Sequence, residues 1–245
     1  MTNTTAGPPG IRDAELPDDA LGFEDLPRLM SLMTGADKHG PAATSTTDAV
    51  WVLYDRVLRV SPDSADSPDR DRFLLSKGHG PMAYYATLAA KGFLPVELLP
   101  GFGSWDSPLG HHPDRTLLPG VEISSGSLGH GLPLAVGSAL GLRAQGRERP
   151  SVWVLVGDAE LDEGSNHEAI DFAGAVGLAA LHAVVIDNRS ATHGRPGGLA
   201  DRFHVAGWSV AEVDGRDHDA LYDACTRPHP GRPHAVVARV EPKSS

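Results

Sequence analysis

The sequence predicts an α/β protein, a parallel sheet with helices on both faces. Three observations carry this. Residues 152–156, VWVLV, and 181–188, LHAVVIDN, are apolar runs of the kind found in strands buried on both sides. Two further runs, SVAEVDG (209–215) and HAVVARV (234–240), complete a set of strands. Helical patterns alternate with these runs, and strand, helix, strand, helix, strand calls for parallel pairing through right-handed crossovers.

The elements follow in order. Residues 1–22, rich in Pro, Gly, Thr and Asp, read as a flexible N-terminal tail, leaving 23–245 as the folded domain. Phe23 to Leu32 has a helical pattern. A second helix is predicted over Thr46–Val60, with Ala49, Val50, Leu53, Val57 and Val60 on one face and Thr46 or Thr47 as its cap. The acidic stretch 61–69 is a loop, FLLSKGHG a short strand running into a glycine loop, and MAYYATLAAKG a helix closed by Gly92. Residues 100–120 are irregular. SLGHGLPLAVGSALGLRAQG gives a helix rich in small residues, able to pack close to a neighbour. After the 152–156 strand a helix runs to about Val176, and another spans Asp217–Thr226.

Composition excludes several classes. The 245 residues carry a net charge of -11, with 40% hydrophobic and 22% charged residues. That balance suits a globular protein and argues against nucleic acid and anionic membranes as partners. A polyanionic cofactor needs local amides and a metal to receive it. The one cysteine, Cys225, rules out an internal disulfide and fits a cytoplasmic setting. No basic-then-apolar leader opens the chain, and no apolar run nears the ~20 residues that span a bilayer.

The chemistry concentrates where the 152–156 strand ends. Asp158, Glu160, Asp162 and Glu163 follow it closely, and neighbouring carboxylates repel unless something stabilises them, a bound cation being the first candidate. Gly157, small, lets backbone amides approach a ligand. Asn188 ends the next strand, and one crossover would bring Asp158 and Asn188 side by side at the carboxyl ends of strands, where ligands gather in such sheets. Asp and Asn oxygens are hard ligands suited to Mg²⁺, which completes its shell with phosphate and water. The arrangement points to a metal-bridged diphosphate. The bland alternatives are an Asp that caps a helix and an Asn in a loop.

Segments across the chain resemble one family. GDAELDEGSNHEA followed by VVIDN resembles the thiamine diphosphate motif of transketolases. RDRFLLSKGHGPMAYYATLAAKGF is similar to the family's SKGHG stretch, and HHPDRTLLPGVEISSGSLGHGLPLAVGSALG to its HP…PGVE…GSLGQG segment. MTGADKHGPAATSTTDAVWVLY is similar to its SGHPG…D helix entry in degenerate form, and AGWSVAEVDGRD to its GW-x-V-x-x-VDG-x-D. These matches are collinear and cover most of residues 30–240.

The resemblance implies the thiamine diphosphate-binding fold, diphosphate-binding domain, with thiamine diphosphate and Mg²⁺ (or Ca²⁺) as cofactors. It implies that Asp158 and Asn188 bind the metal by side chain and Ser190 by its carbonyl. The Ala159 amide would meet the diphosphate, and Gly126 and Leu128 would meet the aminopyrimidine by their backbones. His79 would reach the diphosphate or the reacting centre, His112 the donor sugar's hydroxyls, and His39 the acceptor carbonyl. Glu163 would join a carboxylate network at a subunit interface, while Asp162 reads as a first-turn helix carboxylate and Glu160 as a solvated loop charge. Departures from the family are Ala159 for Gly, Ser190 for an apolar residue, His130 for Gln, and KHGPA around His39 for GHPG. His193 follows the metal loop and, like His130, is a pocket candidate. A zinc site on His39, His79 and His112 is the chemical rival for the histidines.

In the family the Glu that ionises the cofactor comes from a pyrimidine-binding domain. The matched region holds only the diphosphate-binding half, and ARVEPKSS ends before the family's next active-site His. The expectation is the N-terminal subunit of a split transketolase. Joined to a separate pyrimidine-domain chain as an α₂β₂ heterotetramer, it would transfer a two-carbon ketol unit from a ketose to an aldehyde. The alternatives are part of another thiamine diphosphate enzyme, such as a 2-oxo acid dehydrogenase α-like chain or an acyloin synthase, or a non-catalytic cofactor-binding regulator.

Overall fold

The computed structural model describes residues 21–34, 40–191 and 197–242. Five strands, β1 (Arg72–Leu75), β2 (Val152–Gly157), β3 (Leu181–Asp187), β4 (Ser209–Asp214) and β5 (His234–Arg239), pair in parallel in the order β1-β2-β3-β5-β4. From β3 the chain passes to the outer edge at β4 and returns to lay β5 between them. The helices in chain order are α1 (Leu26–Ser31), α2 (Gly40–Thr44), α3 (Thr47–Val52), α4 (Met82–Ala90), α5 (Gly131–Ala144), α6 (Gly164–Ala175), α7 (Gly198–Val205) and α8 (His218–Cys225).

The apolar runs are buried on both faces, as their composition requires. Along β2, Trp153 and Leu155 enter one core while Val152, Val154 and Val156 enter the other. Along β3, Val184 and Ile186 alternate in the same way with Ala183 and Val185. Side chains from α1, α3, α4 and α8 complete the first core, and side chains from α5, α6 and α7 the second. The product is a three-layer α/β/α sandwich. β4 is the less buried edge, where exposed Glu212 pairs with Arg239 of β5, a charged rim that discourages pairing with another chain.

Three elements differ from the sequence reading. The helix predicted to Val60 ends earlier: α3 passes into a π-helical turn, Leu53–Val57, closed by the Leu58 amide on the Leu53 carbonyl at 2.8 Å, and Leu58 is extended. Thr46 stands at the N-cap position of α3, yet its hydroxyl donates to the Ala43 carbonyl at 2.8 Å and caps nothing. The preceding turn, α2, supplies that nearer acceptor. Helix α7 has no counterpart among the predicted elements. It starts on two positive-φ glycines, Gly197 at its N-cap and Gly198 as its first residue, and it buries Arg202 and Phe203. Among the described residues no helix is long and apolar enough to cross a membrane.

Candidate functional site

The carboxyl ends of β1, β2 and β3 form one edge, and the chemistry-bearing residues collect there. Pairing of β2 with β3 sets Gly157 opposite Ile186, and the Asp158 amide donates to the Ile186 carbonyl at 3.0 Å. Asp158 and Asn188 therefore leave adjacent strands at the same edge, and both are buried. The Asp158 carboxylate accepts from the Ala159 amide (2.9 Å) and the Ser190 hydroxyl through Oδ1, and from the Ser190 and Ala191 amides (2.7 and 3.2 Å) through Oδ2. It also caps the short turn Ala159–Asp162, so the capping role and the edge position coexist. The Ala159 amide, expected to face a diphosphate, is thus turned to Asp158. Among the described residues, Asn188 Oδ1 has no hydrogen-bond partner. A buried acceptor left unmet costs about 1–3 kcal/mol, so such an atom asks for a ligand.

β1 leads into Ser76–Gly80. The His79 and His112 rings stand perpendicular, 5.0 Å apart. Gly126 (φ 130°) lies against this pair, and a Cβ there would press on the His112 ring at 2.9 Å. The close approach of backbone to ring therefore requires glycine at 126. Leu128 is 42% exposed. The Lys77 alkyl chain lies over Gly157, and its ammonium donates to the Ala42 carbonyl (2.8 Å) and the Ser45 hydroxyl (3.2 Å).

Glu160 corrects the sequence reading. It is no solvated charge but is 1% exposed. Its Oε1 accepts from the Ser76 hydroxyl and the Gly129 amide (3.1 Å), its Oε2 from the Gly157 amide (3.3 Å), and its own carbonyl accepts from Asn166 Nδ2 at 2.6 Å. Burial raises its pKa, while those three donors and nearby Lys77 pull the other way. Asp162 is not a lone helix-dipole carboxylate either, since it pairs with Arg202 at 2.9 Å. Glu163 stands at the N-cap position of α6 without a side-chain cap bond and is exposed, with its Cβ packed on Gly129. Each carboxylate thus has its own surroundings, and the cluster as a whole needs no shared cation. No local pattern announces the burial of Glu160, because two of its three donors, Ser76 and Gly129, come from distant segments.

His39 and His193 lie outside the described residues. His130 is exposed at the start of α5, and His111 is exposed beside the Phe102 ring. Among the described residues no three His, Cys, Asp or Glu side chains are grouped to hold a metal.

The family model for the transketolase thiamine diphosphate-binding domain matches residues 31–239. The chain belongs to the transketolase family. It is 37% identical to a protein from Actinobacillus succinogenes named as one subunit of an apulose-4-phosphate transketolase, over 86% of this chain and 78% of that one. It is 56% identical to a Rhodococcoides fascians protein named ferredoxin fas2, over 92% of this chain and 74% of that one. An iron–sulfur cluster of ferredoxin type takes four thiolates, and the one cysteine here, Cys225, is buried, with burial pushing its thiol up to about 12. Transketolase from Leishmania mexicana superposes with a TM-score of 0.69 at 25% identity, covering 89% of this chain and 36% of that one. The chain thus spans about a third of the length of the solved transketolases it matches. Among transketolases it corresponds to the thiamine diphosphate-binding domain.

Proposed function

We propose that this chain is the diphosphate-binding subunit of a two-chain transketolase. It would transfer a two-carbon ketol unit from a ketose to an aldehyde once joined to a separate pyrimidine-domain chain. The observation that carries the reading is the buried pair Asp158 and Asn188 on adjacent strand ends, with Asn188 Oδ1 unpartnered among the described residues. These are hard oxygen donors and fit Mg²⁺ or Ca²⁺, with the Ser190 carbonyl as a third ligand. A relative of similar length whose name makes it one subunit of a transketolase supports the division into two chains.

Bound thiamine diphosphate supplies a carbanion able to add to a ketose carbonyl. The residues of this chain bind and orient. Asp158, Asn188 and the Ser190 carbonyl would hold the metal. Gly157 would border the diphosphate, and the Ala159 amide would meet it. The backbones of Gly126 and Leu128 face the ring. His79 and His112, perpendicular at the same edge, orient hydroxyls and carry protons at the substrate, with His39 placed by the resemblance at the acceptor. Exposed Leu128 (42%), Leu134 (49%) and Phe172 (46%), together with Glu163, form the face that meets further chains in an α₂β₂ cytoplasmic assembly.

Calorimetry of the two-chain complex with thiamine diphosphate tests this. Binding is expected with Mg²⁺ and not after chelation, and Asp158→Ala is expected to abolish it. Metal-independent binding, or unchanged affinity in the variant, sinks the assignment.

A further inference from the structure

Glu160 has a buried carboxylate that the proposed chemistry does not use, and its bonds reach three separate parts of the site. Ser76 opens the loop that carries His79. Gly129 follows Leu128. Gly157 precedes Asp158. All three donate to the one carboxylate, whose backbone carbonyl is held in turn by Asn166. The Ser76 hydroxyl oxygen also accepts from the Gly131 amide at 3.0 Å, so the network extends into the first turn of α5.

We infer that Glu160 is a positioning residue. It ties the Ser76–His79 loop, the Gly126–Gly129 loop and the Gly157–Asp158 turn into one preorganised cofactor cradle. This rests on the reading of the edge as a thiamine diphosphate site. The reason a carboxylate is needed is geometric. Two of its donors are backbone amides, which cannot turn away or become acceptors, and the third is a hydroxyl already accepting from Gly131. An ionised carboxylate offers acceptor positions on both oxygens. A carboxamide of the same shape offers one oxygen, so its NH₂ must face either the Gly129 or the Gly157 amide, donor against donor. One loop then shifts, and a displaced first contact weakens binding without removing any group that touches the reacting atoms.

The test is Glu160→Gln and Ser76→Ala, singly and together, in the two-chain complex. Thiamine diphosphate affinity with Mg²⁺ is read by calorimetry, and kcat at saturating cofactor in parallel. Each single variant is expected to raise the cofactor Kd roughly 10-fold or more, the factor that one lost charge-assisted bond corresponds to, while kcat at saturation stays near wild type. Because both residues act through one network, the double variant is expected to fall short of the product of the single effects. A Glu160→Gln complex that binds cofactor as tightly as wild type overturns the inference, as do multiplicative effects or a kcat that falls while Kd holds. Should Glu160→Gln not fold, Ser76→Ala decides alone: it leaves the carboxylate and both amide bonds in place, and an unchanged Kd overturns the proposal. A wild-type complex that binds no thiamine diphosphate removes the reading beneath it, an outcome distinct from a variant that matches a binding wild type.

Discussion

Asn188→Leu separates stability from function at a single side chain. Asn188 is 3% exposed, and its Oδ1 meets no donor among the described residues. That unmet acceptor costs the metal-free fold about 1–3 kcal/mol, whereas an apolar group of similar shape carries no such penalty. The substitution should therefore leave the metal-free chain as stable as wild type, or more stable by about 1 kcal/mol, which is about 2–4 °C in Tm for a chain of this size. The loaded complex should behave oppositely. At a cofactor concentration of about 100 Kd, wild type gains about 2.7 kcal/mol from binding, or about 5–10 °C. The variant, lacking a metal ligand, should gain almost none of it. The assay is thermal unfolding followed by circular dichroism, first on the chain alone with chelator, then on the two-chain complex with Mg²⁺ and thiamine diphosphate. A variant that melts several degrees below wild type in chelator would show that Asn188 is structural, and one that keeps the full cofactor shift would show that it binds no metal.

Two further predictions follow from neighbouring contacts. The Ser190 hydroxyl occupies Asp158 Oδ1 at 2.5 Å, so Ser190→Ala should free an acceptor site while keeping the carbonyl. The expected result is a lower Mg²⁺ concentration for half-maximal thiamine diphosphate binding and a metal-free fold weakened by about 1 kcal/mol; a higher Mg²⁺ requirement would mean that the hydroxyl itself assists the metal. At the opposite edge of the sheet, His182 stacks on Trp153 at 4.0 Å and meets His229 and His234. Burial, then the two neighbouring imidazoles, push His182 well below its usual range, and burial pushes His234 to about 4. The unfolded chain takes up these protons near pH 6.5 and the folded chain does not, so stability is full above about 6.5 and falls as pH drops from there toward 4, by at most about 1.4 kcal/mol per pH unit for each ring. Tm measured from pH 8 to 5 should show this slope, and His182→Phe should flatten it; a wild-type Tm that is constant over that range would contradict the burial argument.

What the sequence discloses is local or periodic. The runs at 152–156 and 181–188 identify doubly buried strands because a strand with two covered faces has no position for a polar residue. Gly92 marks the end of α4 because a φ of 75° there favours glycine. Asp158 and Asn188 are legible as a pair because one crossover fixes the spacing of adjacent strand ends. The insertion of β5 between β3 and β4 leaves no such trace, since strand order depends on which helices cover which face. The π turn after α3 is hidden because Leu53–Val57 continues the apolar pattern of an α-helix. Glu160 misleads for a related reason: a charge a few residues past a strand usually faces water, and only contacts from Ser76 and Gly129 draw it inside.

The four carboxylates after β2 differ in what each offers an anionic cofactor. Asp162 is neutralised by Arg202, and Glu160 is bound to three donors away from the Asp158–Ser190 contacts. Glu163 is exposed and able to face another chain. Of the four, only Asp158 would bring its charge to the proposed metal position, since Asn188 is neutral. A divalent ion held by one carboxylate and one carboxamide keeps a net positive charge, and that surplus can attract a diphosphate to a chain of net charge -11. Two aspartates at these strand ends would hold the ion more tightly and leave it less charge to offer. At the proposed site, the pairing of Asp with Asn would therefore favour metal and diphosphate binding together over metal binding alone.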